Sequence, residues 1–380
     1  MSRQKDRLEK CGLKHKVAAP AKICFKIIAA SLCFRLIFYL AYKVGRFSSS
    51  LISMGTSLKR QRRLMAGHKA AASCDPGLNE AQIQRSMSHR DKRLHERNEQ
   101  MSLETMVITG ASGQVGKALL SALRGKTRTV ALVRKHADLP ASEVVTDWMR
   151  SPTARQMIAR AESIVHLAGN LKPERGNYKA ANEATTEVLC SALRNGTSAR
   201  IIFLSFVGAS ESSSNAYLST KARAERALRQ AAPHVAVFRC THIIGSPDRP
   251  GPTALNLLRG AAPKVTILGS GRQTVAPVFL GDVVSAIITA LERDVDGTFD
   301  LPGPESMTFD DLVRLLNRDP SVPIRHIPAP LARLLPFVVR DLPGALVDVM
   351  LGDCVGDPTR VRREFGLMLT SLRQVWSPAG

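Results

Sequence analysis

Acidic residues are scarce in this 380-residue chain: 32 Asp and Glu stand against 54 Lys and Arg, for a formal net charge of +22. The deficit is uneven, since residues 1–100 hold 21 Lys and Arg but only 7 Asp and Glu. Such an excess suits an anionic surface, whether nucleic acid or lipid, through its summed field. The motifs that would direct it to nucleic acid are missing: zinc-finger spacing, an aromatic RNA-binding signature, a basic zipper. Nucleic acid is therefore not an expected partner. Cysteine is sparse too, seven residues in all, with no CxxC pair and no Cys/His cluster at metal-ligand spacing. An odd, scattered set reads as reduced thiols, which excludes a disulfide framework; no structural metal is expected.

A clean hydrophobic run of membrane-spanning length is also lacking. The nearest is ICFKIIAASLCFRLIFYLAYKVG (residues 23–45), which Lys26 and Arg35 interrupt on opposite sides of a helix. About 20 apolar residues are needed to span a bilayer, and a mid-span Arg costs at least ~2.5 kcal/mol. An ordinary signal peptide is excluded by the long basic start and the want of a small-residue cleavage site. Three readings of residues 1–100 stay open. They form a membrane anchor with a basic cytoplasmic flank, or an organelle-targeting extension, or a segment outside the working protein, with Met101 as its natural start. A cytoplasmic location is expected, with membrane contact through residues 23–45 if the extension is real.

At 44% hydrophobic and 23% charged, the rest of the chain suits a globular protein with a sizeable core. The segment MVITGASGQVGKALLSAL (residues 106–123) opens it. Residues 106–109 read as a buried parallel strand, and residues 114–123 as an amphipathic helix. Gly110, Gly113 and Gly116 lie between and within them. The first allows a tight turn, the second a close backbone approach to a pyrophosphate, and the third tight helix–strand packing. With Ser112, Gln114 and Val115 they form a phosphate-binding turn that directs helix N–H groups at the anion. The next strand, TRTVALVRK, ends at Arg134, 18 residues past Gly116. An acidic residue there would read the ribose 2′-hydroxyl of NAD; Arg134, beside Lys135, pairs instead with the 2′-phosphate of NADP. NADP is the favoured cofactor and NAD the alternative. Strands ending at Asp147 and in HLAGN (residues 166–170) follow, and the alternation predicts a doubly wound parallel sheet.

RIIFLSFVGASESSSNAYLSTKARAERAL (residues 200–228) holds the expected chemistry. Tyr217 and Lys221 are i and i+4, on one helix face. A free tyrosine, pKa ~10, is a poor base at neutral pH. A neighbouring ammonium favours the phenolate, and the tyrosine can then exchange a proton with an alcohol or carbonyl oxygen. Ser205, at the end of the preceding strand, is the candidate to polarise the same oxygen.

With these segments in order, residues 104–376 resemble the short-chain dehydrogenase/reductase superfamily on its extended or atypical side, the NAD-dependent epimerase/dehydratase-like enzymes. TGASGQVG matches that family's TGxxGxxG, Asp147 its adenine-contacting Asp, HLAG with Ala168 and Gly169 its strand-four motif, and Asn182 its helix Asn. YLSTK matches YxxxK, FRCTHIIG resembles RPxxvyG, and APVFLGDVVSAI the hVdDvA segment. Among such proteins the chain looks most like the group of the complex I accessory subunit and its bacterial relatives. The resemblance implies a Rossmann-type α/β fold with a small α/β C-terminal substrate lobe. The implied layout is an extension over 1–100, a cofactor domain over 104–245 and a substrate lobe over 246–380, interleaved with the last sheet strands. It further implies catalytic Ser205, Tyr217 and Lys221, the last two also touching cofactor, a small-molecule substrate, and a homodimer.

The sequence departs from the pattern in places. Tyr217 lies only 12 positions after Ser205, a short loop for an extended epimerase, with Ser212, Ser213 and Ser214 as substitutes. Cys240 replaces the usual Pro, and Val275 and Ala276 occupy the region where nucleotide-sugar enzymes often carry an Arg. A cofactor-holding structural or assembly subunit is thus the rival to an oxidoreductase or epimerase, and an NADP-binding redox sensor a third reading. His242 reads as a structural histidine near the substrate, Asp282 as a helix cap. The apolar stretch 327–353 reads as lobe core, with a substrate pocket or a membrane face as alternatives.

Overall fold

The computed structural model describes residues 105–377, apart from 195, 294 and 340. The expectations for residues 1–100, including membrane contact through 23–45, lie outside the described residues. Seven strands form one sheet: β1 (Thr105–Thr109), β2 (Arg128–Leu132), β3 (Glu143–Val145), β4 (Ser163–His166), β5 (Arg200–Phe206), β6 (Val235–Cys240) and β7 (Gly297–Leu301). Their order is β7-β6-β5-β4-β1-β2-β3, and every neighbouring pair is parallel. The order reverses at β1, so a crevice opens beyond the carboxyl ends of β1 and β4, where ligands bind in such sheets.

The strands are apolar throughout because both faces are covered. Met106, Ile108, Ala131, Ile202 and Phe238 face one layer, with helices α1 (Gln114–Leu123) and α5 (Leu280–Glu292). Val107, Val130, Ile164, Ile201 and Val237 face the other, with α2 (Pro152–Arg160), α3 (Ala184–Ala192) and α4 (Ala216–Ala231). The chain thus adopts the doubly wound parallel sheet expected of it. A third core joins Phe206 and Tyr217 to elements after residue 243, among them Val275, Val349, Trp376 and α6 (Phe309–Asn317). Short strand pairs stiffen that region: 243–244 with 278–279, 274–275 with 307–308, and 265–268 with 324–327.

Three local expectations need correction. Asp282 caps nothing: the N-cap of α5 is Phe279, with no side-chain bond. Its carboxylate instead accepts from the backbone N–H and the hydroxyl of Thr370, both at 2.7 Å, tying residue 370 to α5. Asp147 lies past the end of β3 at φ 45°, a left-handed conformation that Asp tolerates better than most residues. The apolar stretch 327–353 is only partly core. Val347 and Val349 are buried, whereas Leu331, Leu334, Phe337 and Val338 are exposed, Phe337 at 84%.

Candidate active site

The glycine turn is built as its spacing demands. The N–H of Gly113 donates to the Gly110 carbonyl at 2.9 Å, closing a tight turn, and Gly110 sits at φ +66°. A Cβ on Gly110 would lie 2.8 Å from the backbone of Leu167 and Ala168, so the loop after β4 can pass directly beneath. A Cβ on Gly116 would lie 2.6 Å from the backbone of Ala111. Gly116 therefore lets the first turn of α1 close on the glycine turn itself, rather than on the strand. Gly113 is the N-cap of α1 and offers no side-chain cap, and no carboxylate lies in the first turn. The first N–H groups of α1, at Gln114, Val115 and Gly116, are left to an anion. The side-chain Nε2 of Gln114 is buried without a hydrogen-bond partner among the described residues. Gly251, at φ +81°, passes so close that a Cβ there would strike the Gln114 amide. The dipeptide PG is a turn signal, and Gly251 is the one residue of this crevice that it could have flagged.

Ser112 is exposed in the turn and Val115 half-buried behind it. Arg134 and Lys135 follow β2 and are exposed, with no ion-pair partner among the described residues. Asp147 is near them: its N–H donates to the Arg134 carbonyl at 3.4 Å, and its carboxylate approaches Arg150 at 4.0 Å. On the other side of the crevice, Ala168 donates its N–H to the Thr109 hydroxyl at 3.2 Å. Thr109 and Thr186 hold the two ring nitrogens of His166 at 2.7 and 3.0 Å. Burial lowers the His166 pKa to about 3, helped by the Lys221 charge, so this imidazole is neutral.

Asn182, Lys221 and Gly169 converge. A Cβ on Gly169 would lie 2.9 Å from Asn182 Oδ1 and 3.1 Å from Lys221 Nζ. Asn182 accepts from the Asn170 N–H at 3.1 Å and donates to the Thr220 hydroxyl at 3.1 Å. It belongs to a π-helical turn, Lys179–Glu183, that precedes α3. Such bulges gather at functional sites, and no sequence signal marks this one. Lys221 is buried; its ammonium donates to the Leu204 carbonyl at 2.6 Å and stands 4.4 Å above the Phe203 ring. Burial lowers its pKa to about 8 against the opposing pull of Glu225.

Tyr217 lies one turn earlier on α4. Asn215 sets that helix start by accepting from the N–H groups of Tyr217 and Leu218 at 3.0 and 3.3 Å. Tyr178 and Phe206 flank the Tyr217 ring at 5.9 and 5.5 Å. The expected depression of its pKa is absent. Burial raises it, and the Lys221 charge is directed instead at the Leu204 carbonyl. Ser205 is already engaged. Its hydroxyl donates to buried Glu225 at 2.5 Å, and Glu225 is held by a two-pronged ion pair with Arg239 at 3.0 and 2.8 Å. Of the substitute serines, Ser213 accepts from the Asn215 N–H at 3.2 Å and so supports the helix start. Among the described residues no three His, Cys, Asp or Glu gather as a metal site, and no helix is long and apolar enough to cross a membrane.

The site can therefore hold a phosphate-linked dinucleotide, with an anion at the α1 N-terminus and a polar sugar beside Asn182 and Lys221, and it sets a tyrosine near what that molecule would carry. Over 230 residues the chain is 29% identical to the mitochondrial NADH dehydrogenase [ubiquinone] 1 alpha subcomplex subunit 9 of Arabidopsis thaliana, covering 55% of this chain and 56% of that protein. It is 24% identical over 249 residues to the mitochondrial NADH-ubiquinone oxidoreductase 40 kDa subunit of Neurospora crassa, covering 61% and 64%. The chain thus spans less than two thirds of either relative. An epimerase family protein of Mycobacterium bovis is 27% identical over 266 residues, covering 59% of this chain and 85% of that one. In fold, the chain resembles UDP-glucuronic acid 4-epimerase from Bacillus cereus, crystallised with UDP-glucuronic acid and NAD, with a TM-score of 0.57, 17% identity and coverage of 72% and 96%. The model of the NAD dependent epimerase/dehydratase family matches residues 106–300, about half of the chain, and the chain belongs to that family.

Proposed function

We propose that the protein is an NAD(P)-dependent oxidoreductase or epimerase acting on an alcohol or carbonyl carbon. The observation that carries this reading is the convergence of Lys221, Asn182 and Gly169 beside an uncapped glycine turn, with Tyr217 one helical turn away. Gly110, Gly113 and Gly116 would admit the pyrophosphate, and the N–H groups of Gln114 and Val115 would bind it. Lys221 and Asn182 would hold the nicotinamide ribose. When bound, the cofactor supplies a hydride acceptor or donor. Tyr217, kept protonated by burial, suits the role of acid, donating its proton to a carbonyl oxygen as negative charge develops there. Ser205 has no part in this scheme, because its hydroxyl is bound to Glu225.

NADP is favoured over NAD because Arg134 and Lys135 stand exposed where the ribose 2′-position would lie. Titration of the protein with NADPH and NADH tests this by fluorescence. NADPH should bind at least tenfold more tightly, and Arg134→Ala should erase the difference. If neither nucleotide binds, the reading fails at its first step. A second reading is favoured by two observations: the likeness to a complex I subunit and the commitment of Ser205 to Glu225. The protein would then hold the nucleotide as a structural or assembly subunit, and nucleotide would bind with no turnover across a panel of alcohols and ketones.

A further inference from the structure

The two buried histidines near the crevice differ in one respect. His166 has a hydroxyl on each ring nitrogen, as a structural histidine should. His242, just past β6, is 3% exposed, yet its Nε2 has no hydrogen-bond partner among the described residues. Buried side-chain nitrogens are nearly always paired, and the exceptions call for a reason. The ring is not loosely placed. Its own carbonyl accepts from the Val278 N–H at 3.0 Å, and the preceding Thr241 hydroxyl donates to the Ala276 carbonyl at 2.5 Å.

The ring also lies beside the proposed chemistry. Phe206 packs edge-on against His242 at 5.9 Å and against Tyr217 at 5.5 Å, so one aromatic ring joins the two. Phe309 packs edge-on from another side at 6.2 Å. The apolar core that includes Phe206, Tyr217 and Phe309 also holds Tyr178, Val207, Ile244 and Val275. We propose that His242 Nε2 is the polar anchor of an otherwise apolar substrate pocket next to Tyr217, binding a hydroxyl group that a hydrophobic ketone or alcohol carries away from its reacting oxygen. This rests on the enzymatic reading of the Tyr217 site. A neutral imidazole, as burial makes this one, offers one N–H and one lone pair. That pairing suits a hydroxyl, and it suits a phosphate or carboxylate poorly.

The test uses the full chain saturated with NADH or NADPH, and two probes: 4-hydroxyacetophenone and acetophenone. Their affinities are measured by ligand-observed NMR for wild type, His242→Leu and His242→Gln, beside thermal unfolding of each. Wild type should prefer the hydroxylated probe at least tenfold. His242→Leu should lose that preference while unfolding at or above the wild-type temperature, because it removes an unpaired buried nitrogen, and His242→Gln should keep part of it. An unchanged preference in His242→Leu overturns the proposal, as does a lowered unfolding temperature, which would make the imidazole a part of the fold. Failure of both probes to bind wild type overturns the ligand class. Because these readouts are binding and stability, they stand apart from catalysis: Tyr217→Phe should weaken both probes alike, since each carries the carbonyl, and keep the preference between them, while its loss of turnover tests the enzymatic reading separately.

Discussion

Glu225 and Lys221 show how burial assigns roles that residue type alone leaves open. Both are charged, one turn apart on α4, and both are buried. Glu225 is fully matched by Arg239 and Ser205, so removing its charge leaves Arg239 without its partner. Glu225→Gln should cost about 3 kcal/mol, the lower end for breaking a buried pair, as measured by urea unfolding. Lys221 donates to a carbonyl and stands over a ring face, with the Glu225 carboxylate as an opposing pull. Its pKa falls from 10.5 to about 8 on folding. Between those values the unfolded chain holds more protons than the folded one, so this group makes stability rise with pH across that window. Below it the lysine is charged in both states, and its burial cost is fully present. The stability of Lys221→Met relative to wild type should therefore be greatest near pH 7 and should shrink steadily toward pH 10, in paired urea titrations. A difference that does not change with pH would refute the burial argument. The shared helix face of Tyr217 and Lys221 was legible from their spacing; the bond from the Ser205 hydroxyl to Glu225 was not, because it joins side chains from two elements.

At the scale of elements, the glycine turn was the most legible part of the molecule. Gly110, Gly113 and Gly116 stand where a strand hands over to a helix, and α1 occupies the predicted residues 114–123. What could not be read was the object that each glycine avoids. Two left-handed glycines make the distinction testable. Gly125, at φ +74°, has open space where a Cβ would go, whereas Gly110, at φ +66°, has backbone at 2.8 Å. Gly125→Ala should cost about 1–2 kcal/mol from backbone conformation alone. Gly110→Ala should cost clearly more in the same chemical denaturation, and should also abolish nucleotide binding, because the β4 loop must move. Equal costs would show that the close approach is relaxed in solution. The π-helical turn that presents Asn182 lay beyond sequence reading for a related reason: its extra residue per turn is held by contacts with Thr220 and Asn170.

Across the whole molecule, contacts distant in sequence hold the last residues of the described chain. Asp282 reaches Thr370 over 88 positions, and the indole N–H of Trp376 donates to the Gly245 carbonyl at 3.0 Å. Asp282→Ala should lower stability by about 1.5–3 kcal/mol, the range for hydrogen bonds to a charged group. It should also speed proteolysis near residue 370, read by mass spectrometry of the fragments. Undiminished protection there would mean that Trp376 alone anchors the segment. The exposed strip of Leu331, Leu334, Phe337 and Val338 runs against the expectation that residues 327–353 are core. Helical spacing shows that a stretch can bury one face, not that a partner surface exists to cover it.

The parallel sheet, the glycine turn, the shared face of Tyr217 and Lys221, and the family were within reach of the sequence, because each depends on a local period or a short spacing. Strand runs of apolar residues, a left-handed glycine and an i,i+4 pair are set by backbone geometry over a few residues. Only the tertiary structure decided which polar groups were already engaged. Ser205 is bound, His166 is doubly satisfied, and His242 Nε2 has no partner among the described residues, since burial and pairing arise when segments far apart in the chain are brought together.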